Sequence, residues 1–113
     1  MLVFVRLFKQ ILVNVALLLW ATSAFAAPQK IVSLNLCTDQ LLMLLADPEQ
    51  IISLSEIVDD PYVSLLAEKS KNFKKNSGDA EQIFMESPDL VVAGVYTEKA
   101  TVQMLKSLGV RVE

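Results

Sequence analysis

No histidine occurs anywhere in the sequence. Without one, neither a Ser-His nor a Cys-His catalytic pair can form. Histidine-built zinc sites are excluded as well, and the single cysteine, Cys37, cannot replace them. One cysteine also forbids an internal disulfide, so an oxidising compartment would add no staple here. Glycine is scarce: Gly78, Gly94 and Gly109 are the only three. None of them lies in the turn after the first expected strand, which argues against a glycine-rich phosphate loop and the usual dinucleotide fold. The carboxylates are scattered. Asp59 and Asp60 are neighbours, but a capping role accounts for Asp60 without acid-base work. No catalytic constellation and no metal-ligand cluster emerges, and no cofactor is called for. The residues therefore read as a binding module and not as an enzyme.

What the sequence has in abundance is apolar residues, 53% of 113. Many of them stand at the front. Arg6 and Lys9 make a basic n-region, and Ile11 to Trp20 an apolar h-region broken only by Asn14. Ala24-Phe25-Ala26 gives the small-x-small cleavage pattern. Residues 1–26 are accordingly expected to be a signal peptide, cut before Ala27, for export to the periplasm. A ten-residue h-region falls short of the roughly 20 residues a spanning helix needs. No cysteine lies near the cut, so a lipoprotein is not expected. Cleavage leaves residues 27–113 and removes two positive charges, taking the net charge from −3 to −5. An acidic exported chain is a poor partner for nucleic acid or anionic lipid. At this size it would bury little more than about 60% of its unfolded surface.

The chain beyond Ala27 alternates between strand and helix patterns. Ile31 to Leu34 is a short β-branched run suited to a buried strand. Asn35 to Thr38 breaks it with small polar residues. Thr38 is the expected helix cap, with Asp39 at the positive end and Leu41, Leu42, Leu44 and Leu45 as the apolar face. Asp47-Pro48 stops that helix. Ile51 to Leu54 is the second strand, followed by a polar loop from Ser55 to Asp60. Asp60-Pro61 predicts a helix over Tyr62 to Lys69, with Val63, Leu65 and Leu66 inward. Lys69, Lys71, Lys74 and Lys75 form a basic patch. In so acidic a chain it reads as a solvated connection and not as a phosphate site.

Asp79 and Gln82 have capping-box spacing before Ile83, Phe84 and Met85, a short helix stopped at Ser87-Pro88. Leu90 to Ala93 is a third strand and Gly94 to Thr97 a turn. Thr97 is the expected cap of a helix reaching Leu108, with Val102, Leu105 and Leu108 inward and Gly109 after its end. Val110 to Val112 begins a fourth strand. The order implies an α/β fold, a mostly parallel sheet with helices on both faces. Sheets of this kind bind ligands at the carboxyl ends of their strands. Two roles compete at each polar position there. Asn35 and Thr38 suit turn and cap roles as well as ligand contact. For Cys37, packing outweighs ligand contact, and nucleophilic chemistry lacks a base. Tyr96 suits stacking on a flat ligand and anchoring a loop equally. Glu81, in a first helical turn, suits the helix dipole, with docking to a basic partner as the functional alternative.

Two segments together resemble a known family. KIVSLNLCTDQLLMLLADPEQIISLS, Lys30 to Ser55, looks like the opening of the periplasmic binding proteins for iron-siderophores and cobalamin. GDAEQIFMESPDLVVAGVYT, Gly78 to Thr97, resembles their next signature, a Glu-containing short helix followed by Pro-Asp-Leu-Val. The resemblance implies a two-lobed protein, each lobe Rossmann-like, that delivers a metal chelate (ferric siderophore, haem or corrinoid) to an inner-membrane ABC permease. Residues 27–113 would be its N-terminal lobe, incomplete, as in a fragment or truncated product. The implied ligand-facing residues are Asn35, Leu36, Cys37 and Thr38, then Ser55 and Glu56, then Val95, Tyr96 and Thr97. Glu81 matches the position that meets permease arginines. The alternative reading is an extracytoplasmic single-lobe adaptor or sensor that binds a protein partner.

Overall fold

The computed structural model describes residues 1–20 and 26–113. Ala24 and Phe25 of the expected cleavage site lie outside these residues. Helix α1 spans Leu2–Trp20 and contains the apolar h-region. Among the described residues, no helix is long and apolar enough to cross a membrane.

Four parallel strands form the sheet: β1 (Ile31–Ser33), β2 (Ile51–Ser55), β3 (Lys75–Asn76) and β4 (Leu90–Val92), in the spatial order β3-β2-β1-β4. Four helices accompany them: α2 (Leu36–Leu45), α3 (Ala67–Ser70), α4 (Ala80–Met85) and α5 (Lys99–Ser107). β1 is the axis. It pairs Val32 with Ser53 on one side and with Val91 on the other. The expected fourth strand over Val110 to Val112 is reduced to one parallel bridge, Val91 to Val112. Helices cover both faces and define two buried clusters. Val32, Ile83, Val91 and Leu105 pack under α4 and α5, while Met43, Ile51, Leu54 and Val58 pack under α2 and the turn after β2.

Several local expectations are corrected. Helix α2 begins at Leu36, three residues before the expected start, because Asn35 caps it: its extended backbone turns Oδ1 onto the Cys37 N–H at 2.9 Å. Thr38 falls inside the first turn instead. The inward residues of α2 are Asp39 and Met43, while Leu41, Leu44 and Leu45 are exposed. The predicted helix over Tyr62 to Lys69 shrinks to α3. Asp60 accepts from the Tyr62 N–H at 2.9 Å, Gln40 Oε1 from the Leu65 N–H at 2.9 Å, and Ser64 Oγ from the Leu66 N–H at 3.3 Å. Side chains thus take the N–H groups that a helix would use. Val63 and Leu65 stay exposed, and Leu66 alone of the three packs inward. In α4 only Ile83 is buried, whereas Phe84 and Met85 are exposed. At α5 the cap position belongs to Glu98, Thr97 closes the preceding turn, and Leu108 is 41% exposed.

The Pro88-Asp89 pair has a physical role. Asp89 accepts from the Gln29 N–H at 2.8 Å and the Lys30 N–H at 3.0 Å, tying the entry of β4 to the lead-in of β1. Hydrogen bonds to a charged acceptor are worth about 1.5–3 kcal/mol each when buried. These are exposed, so Asp89→Ala is expected to cost about 1 kcal/mol. Urea unfolding followed by circular dichroism measures it, and a loss below about 0.3 kcal/mol would contradict this account.

Candidate functional site

Parallel strands point all their carboxyl ends the same way, so the turns after β1, β2, β3 and β4 share one edge. The chain leaves β1 toward β2 on one side, while β4 lies on β1's other side. The adjacent strands β1 and β4 therefore flank the switch point of the sheet, where open α/β sheets hold their ligands.

The turns after β1 and β4 touch. The Leu34 N–H donates to the Val92 carbonyl at 3.0 Å. A Cβ on Gly94 would lie 3.0 Å from Cγ and Nδ2 of Asn35, so glycine is what lets the two turns close up. Thr97 Oγ1 accepts from the Gly94 N–H at 2.9 Å, and the Thr97 N–H donates to the Gly94 carbonyl at 3.0 Å. That closed turn pushes Val95 and Tyr96 outward, 89% and 92% exposed. Tyr96 borders a hollow of about 170 Å³ lined also by Leu34, Ser77, Gly78, Thr97, Glu98 and Thr101. Ser77, Gly78 and Glu98 were not among the expected ligand-facing residues. For Ser77 and Gly78 the missed signal was β3, because a Lys-Asn strand of two residues carries none.

The nine expected residues sort into two groups. Cys37, Glu56, Val95 and Tyr96 are exposed on the edge. Asn35, Leu36, Thr38, Ser55 and Thr97 are half-buried and engaged. Leu36 packs against the cluster under α2. Thr38 Oγ1 donates to the Asn35 carbonyl at 2.9 Å and shares a 2.7 Å hydrogen bond with Ser33 Oγ. Ser55 gives both its N–H (3.0 Å) and its hydroxyl to the Asp39 carboxylate. Cys37 is a free thiol bordering an apolar hollow with Gln40, Leu41, Leu44, Leu65 and Leu66.

Sequence reasoning missed the buried polar side chains behind the edge. Asp39 and Asn76 are both essentially fully buried. Asn76 Nδ2 donates to the Ser33 carbonyl at 3.0 Å and Ser53 Oγ at 3.1 Å, while its Oδ1 accepts from the Gly78 N–H at 3.1 Å. Ser53 in turn donates to Glu86 at 3.0 Å, and Glu86 pairs with Lys74. Every buried side-chain polar atom among the described residues has a partner.

Burial pushes the Asp39 carboxyl above its ordinary value of 3.8. The Ser33 and Ser55 hydroxyls, the Ser55 N–H and the Lys75 ammonium pull the other way. A raised folded pKa means that this group's stabilising contribution is fully present below the unfolded value. It is lost as pH rises through the folded value. Asp59 works in the opposite sense: its pKa is lowered, first by the Ser70 hydroxyl and then by Lys75. Its contribution is present above the unfolded value and fades on acidification through the folded one. Comparing wild type with Asp39→Asn cancels Asp59. The expected result is that wild type gains on the variant as pH falls from about 7 to about 4, read from urea midpoints. Movement in favour of the variant would contradict the sign.

The four lysines offer no free basic patch. Lys69 Nζ donates to the Met43 carbonyl at 2.5 Å, Lys71 pairs with Glu68 at 2.6 Å and Lys74 with Glu86. Lys75 pairs with Asp59 at 3.2 Å and donates to two carbonyls, of Ser70 and Phe73. Glu81 is different: it is exposed on α4, and among the described residues its carboxylate joins no ion pair or hydrogen bond. Among the described residues, no three His, Cys, Asp or Glu side chains gather in a metal-holding group.

No known family's sequence profile and no curated protein matches this chain. Solved structures do. The periplasmic haem-binding protein RhuT from Roseiflexus is 21% identical with a TM-score of 0.61, the match covering 76% of this chain and 33% of that one. A possible iron-binding periplasmic solute-binding protein from Staphylococcus epidermidis is 26% identical with a TM-score of 0.59, covering 78% and 34%. The periplasmic vitamin B12-binding protein BtuF of Vibrio cholerae is 19% identical with a TM-score of 0.58, covering 76% and 33%. The chain spans about a third of the length of these structures. The fold that the resemblance implied is therefore the fold observed, an α/β lobe shared with periplasmic haem-, vitamin B12- and iron-binding proteins. By name, two of these proteins bind haem or vitamin B12 and the third is a possible iron-binding solute-binding protein.

Proposed function

We propose that residues 27–113 form the N-terminal lobe of the substrate-binding component of an ABC importer for a chelated metal (ferric siderophore, haem or cobalamin), exported to the periplasm by cleavage after Ala26. One observation carries the reading. The turns after β1 and β4 close onto each other through Gly94 and Asn35 at the switch point, and they present Tyr96 and Val95 bare at the edge. An exposed aromatic beside a polar hollow suits a large flat ligand with polar substituents. Thr97 lines the same hollow, while Asn35, Cys37 and Thr38 follow β1, and Ser55 and Glu56 close β2, at the same carboxyl-end edge of the sheet. Glu81, on a separate helix, is left to meet the permease.

Titration of the chain with haemin, cyanocobalamin and ferric desferrioxamine, followed by the absorbance of each chelate, tests this. Saturable binding of one probe, weakened about tenfold by Tyr96→Ala, is expected, as for loss of one stacked aromatic anchor. No saturable binding of any probe would count against the reading. The rival, a single-lobe adaptor for a protein partner, is favoured by the exposed leucines 41, 44, 45 and 65. It predicts binding of no chelate.

A further inference from the structure

Resting on that reading, we infer that Asp39 is a positioning residue for the ligand-facing edge: its buried carboxylate fixes the Ser55–Glu56 turn against the first turn of α2. The last residue of β2 is held by a side chain from a helix. Asp39 has no exposed surface, and its Oδ1 accepts the Ser55 N–H at 3.0 Å while Oδ2 accepts the Ser55 hydroxyl. The same helical turn carries Asn35 as its cap and Thr38 bonded back to Ser33. One turn of α2 thus sets the place of two ligand-facing turns at once. Beyond Ser55 the backbone curls through Glu56–Asp59 and buries Val58 against Met43. Glu56, pinned between Ser55 and Val58, is left projecting at the edge.

An apolar residue at position 39 would leave the Ser55 N–H and hydroxyl without their acceptor. The carboxylate is therefore explained by what it holds, and not by packing. Lys75 is the cation acting on it. That ammonium is itself fixed by Asp59 and by the carbonyls of Ser70 and Phe73.

Residue-resolved amide hydrogen exchange on the full chain tests the assignment, with wild type, Asp39→Ala, Asp39→Asn, Ser55→Ala and the packing control Met43→Ala. In Asp39→Ala, exchange at the Ser55 amide is expected to rise about tenfold more than at Ile52 and Leu54. Asp39→Asn, which keeps an acceptor, should bring that amide back to within about threefold of wild type. Met43→Ala should speed all three by a common factor. Equal acceleration of all three amides in Asp39→Ala, or none, would reduce Asp39 to packing and overturn the assignment. Where Asp39→Ala does not fold, Ser55→Ala, which removes the hydroxyl half of the clamp, replaces it: selective acceleration at the residue-55 amide supports the assignment, and no selectivity overturns it.

Haemin and cyanocobalamin titrations add the functional readout. Asp39→Ala should weaken whichever probe wild type binds by about tenfold, with Asp39→Asn close to wild type. Unchanged affinity in Asp39→Ala would also overturn the role. If wild type binds neither probe, the proposed function is what fails, and the exchange pattern still decides what Asp39 does.

Discussion

Leu105→Ala is expected to be among the most damaging single truncations in the folded body, lowering stability by about 2–5 kcal/mol. Leu105 has no exposed surface and closes the cluster of Val32, Ile83 and Val91 beneath α5. It is the only buried residue of that helix, so α5 has no second anchor of this quality. Removing it deletes the buried side chain and leaves a cavity between α5 and the central strand pair, and the two costs add. In a domain of this size each kcal/mol shifts the melting temperature by about 4–8 °C, so a drop of about 10 °C or more is expected. Leu45→Ala is the matched control. Leu45 is 82% exposed, and its loss should stay within about 0.5 kcal/mol. Thermal melts of both variants by circular dichroism separate the cases. A loss below about 1 kcal/mol at Leu105 would mean that α5 is not seated on the sheet as described.

Glu81→Lys is expected to abolish uptake in cells carrying the complete transport system while leaving chelate affinity unchanged. The side chain is exposed and without an intramolecular partner among the described residues, on a helix whose start is fixed by Asp79 accepting the Glu81 N–H at 2.9 Å. The backbone that presents it is therefore held in place without it. Reversing its charge gives up the favourable interaction with the positive end of α4, about 0.3–1 kcal/mol, too little to unfold the lobe. At an interface with arginines the same reversal replaces attraction with repulsion, a change on the order of 2–5 kcal/mol, or more than tenfold in docking affinity. The measurement pairs radiolabelled uptake with chelate titration of the purified variant. Unchanged uptake would remove Glu81 from the docking surface. Lost affinity with lost uptake would place it in the binding site or in the fold.

The turns of the candidate edge were legible in outline. The polar break at Asn35 to Thr38, the Gly94 to Thr97 turn and the end of β2 at Ser55 could each be placed at strand ends from a few neighbouring residues. What could not be read was how they are used. Ser55 faces inward because Asp39, sixteen residues earlier, takes its N–H and hydroxyl. Thr38 is occupied by Ser33 and by the Asn35 carbonyl. The sequence alone placed Asp39 only near a helix start, where an aspartate is unremarkable in any solvated helix.

Contiguous residues determined the alternation of strands and helices, the stops at Asp47-Pro48 and Ser87-Pro88, the left-handed position at Gly109, and hence the parallel α/β class. These depend on local sterics, on missing N–H groups and on the period of apolar side chains, all of which act over a few residues. Only the tertiary structure decided which face of α2 is inward, that Lys75-Asn76 is a strand, and that the Tyr62 to Leu66 segment turns and does not coil. Each of these rests on a partner distant in sequence: Ser55 for Asp39, Leu54 for Lys75, Gln40 for the Leu65 N–H. A buried polar group needs a partner and takes it from whichever element the fold brings near. Such pairings leave no local period behind, so the sheet could be seen in the sequence while the polar scaffold behind its carboxyl-end edge could not.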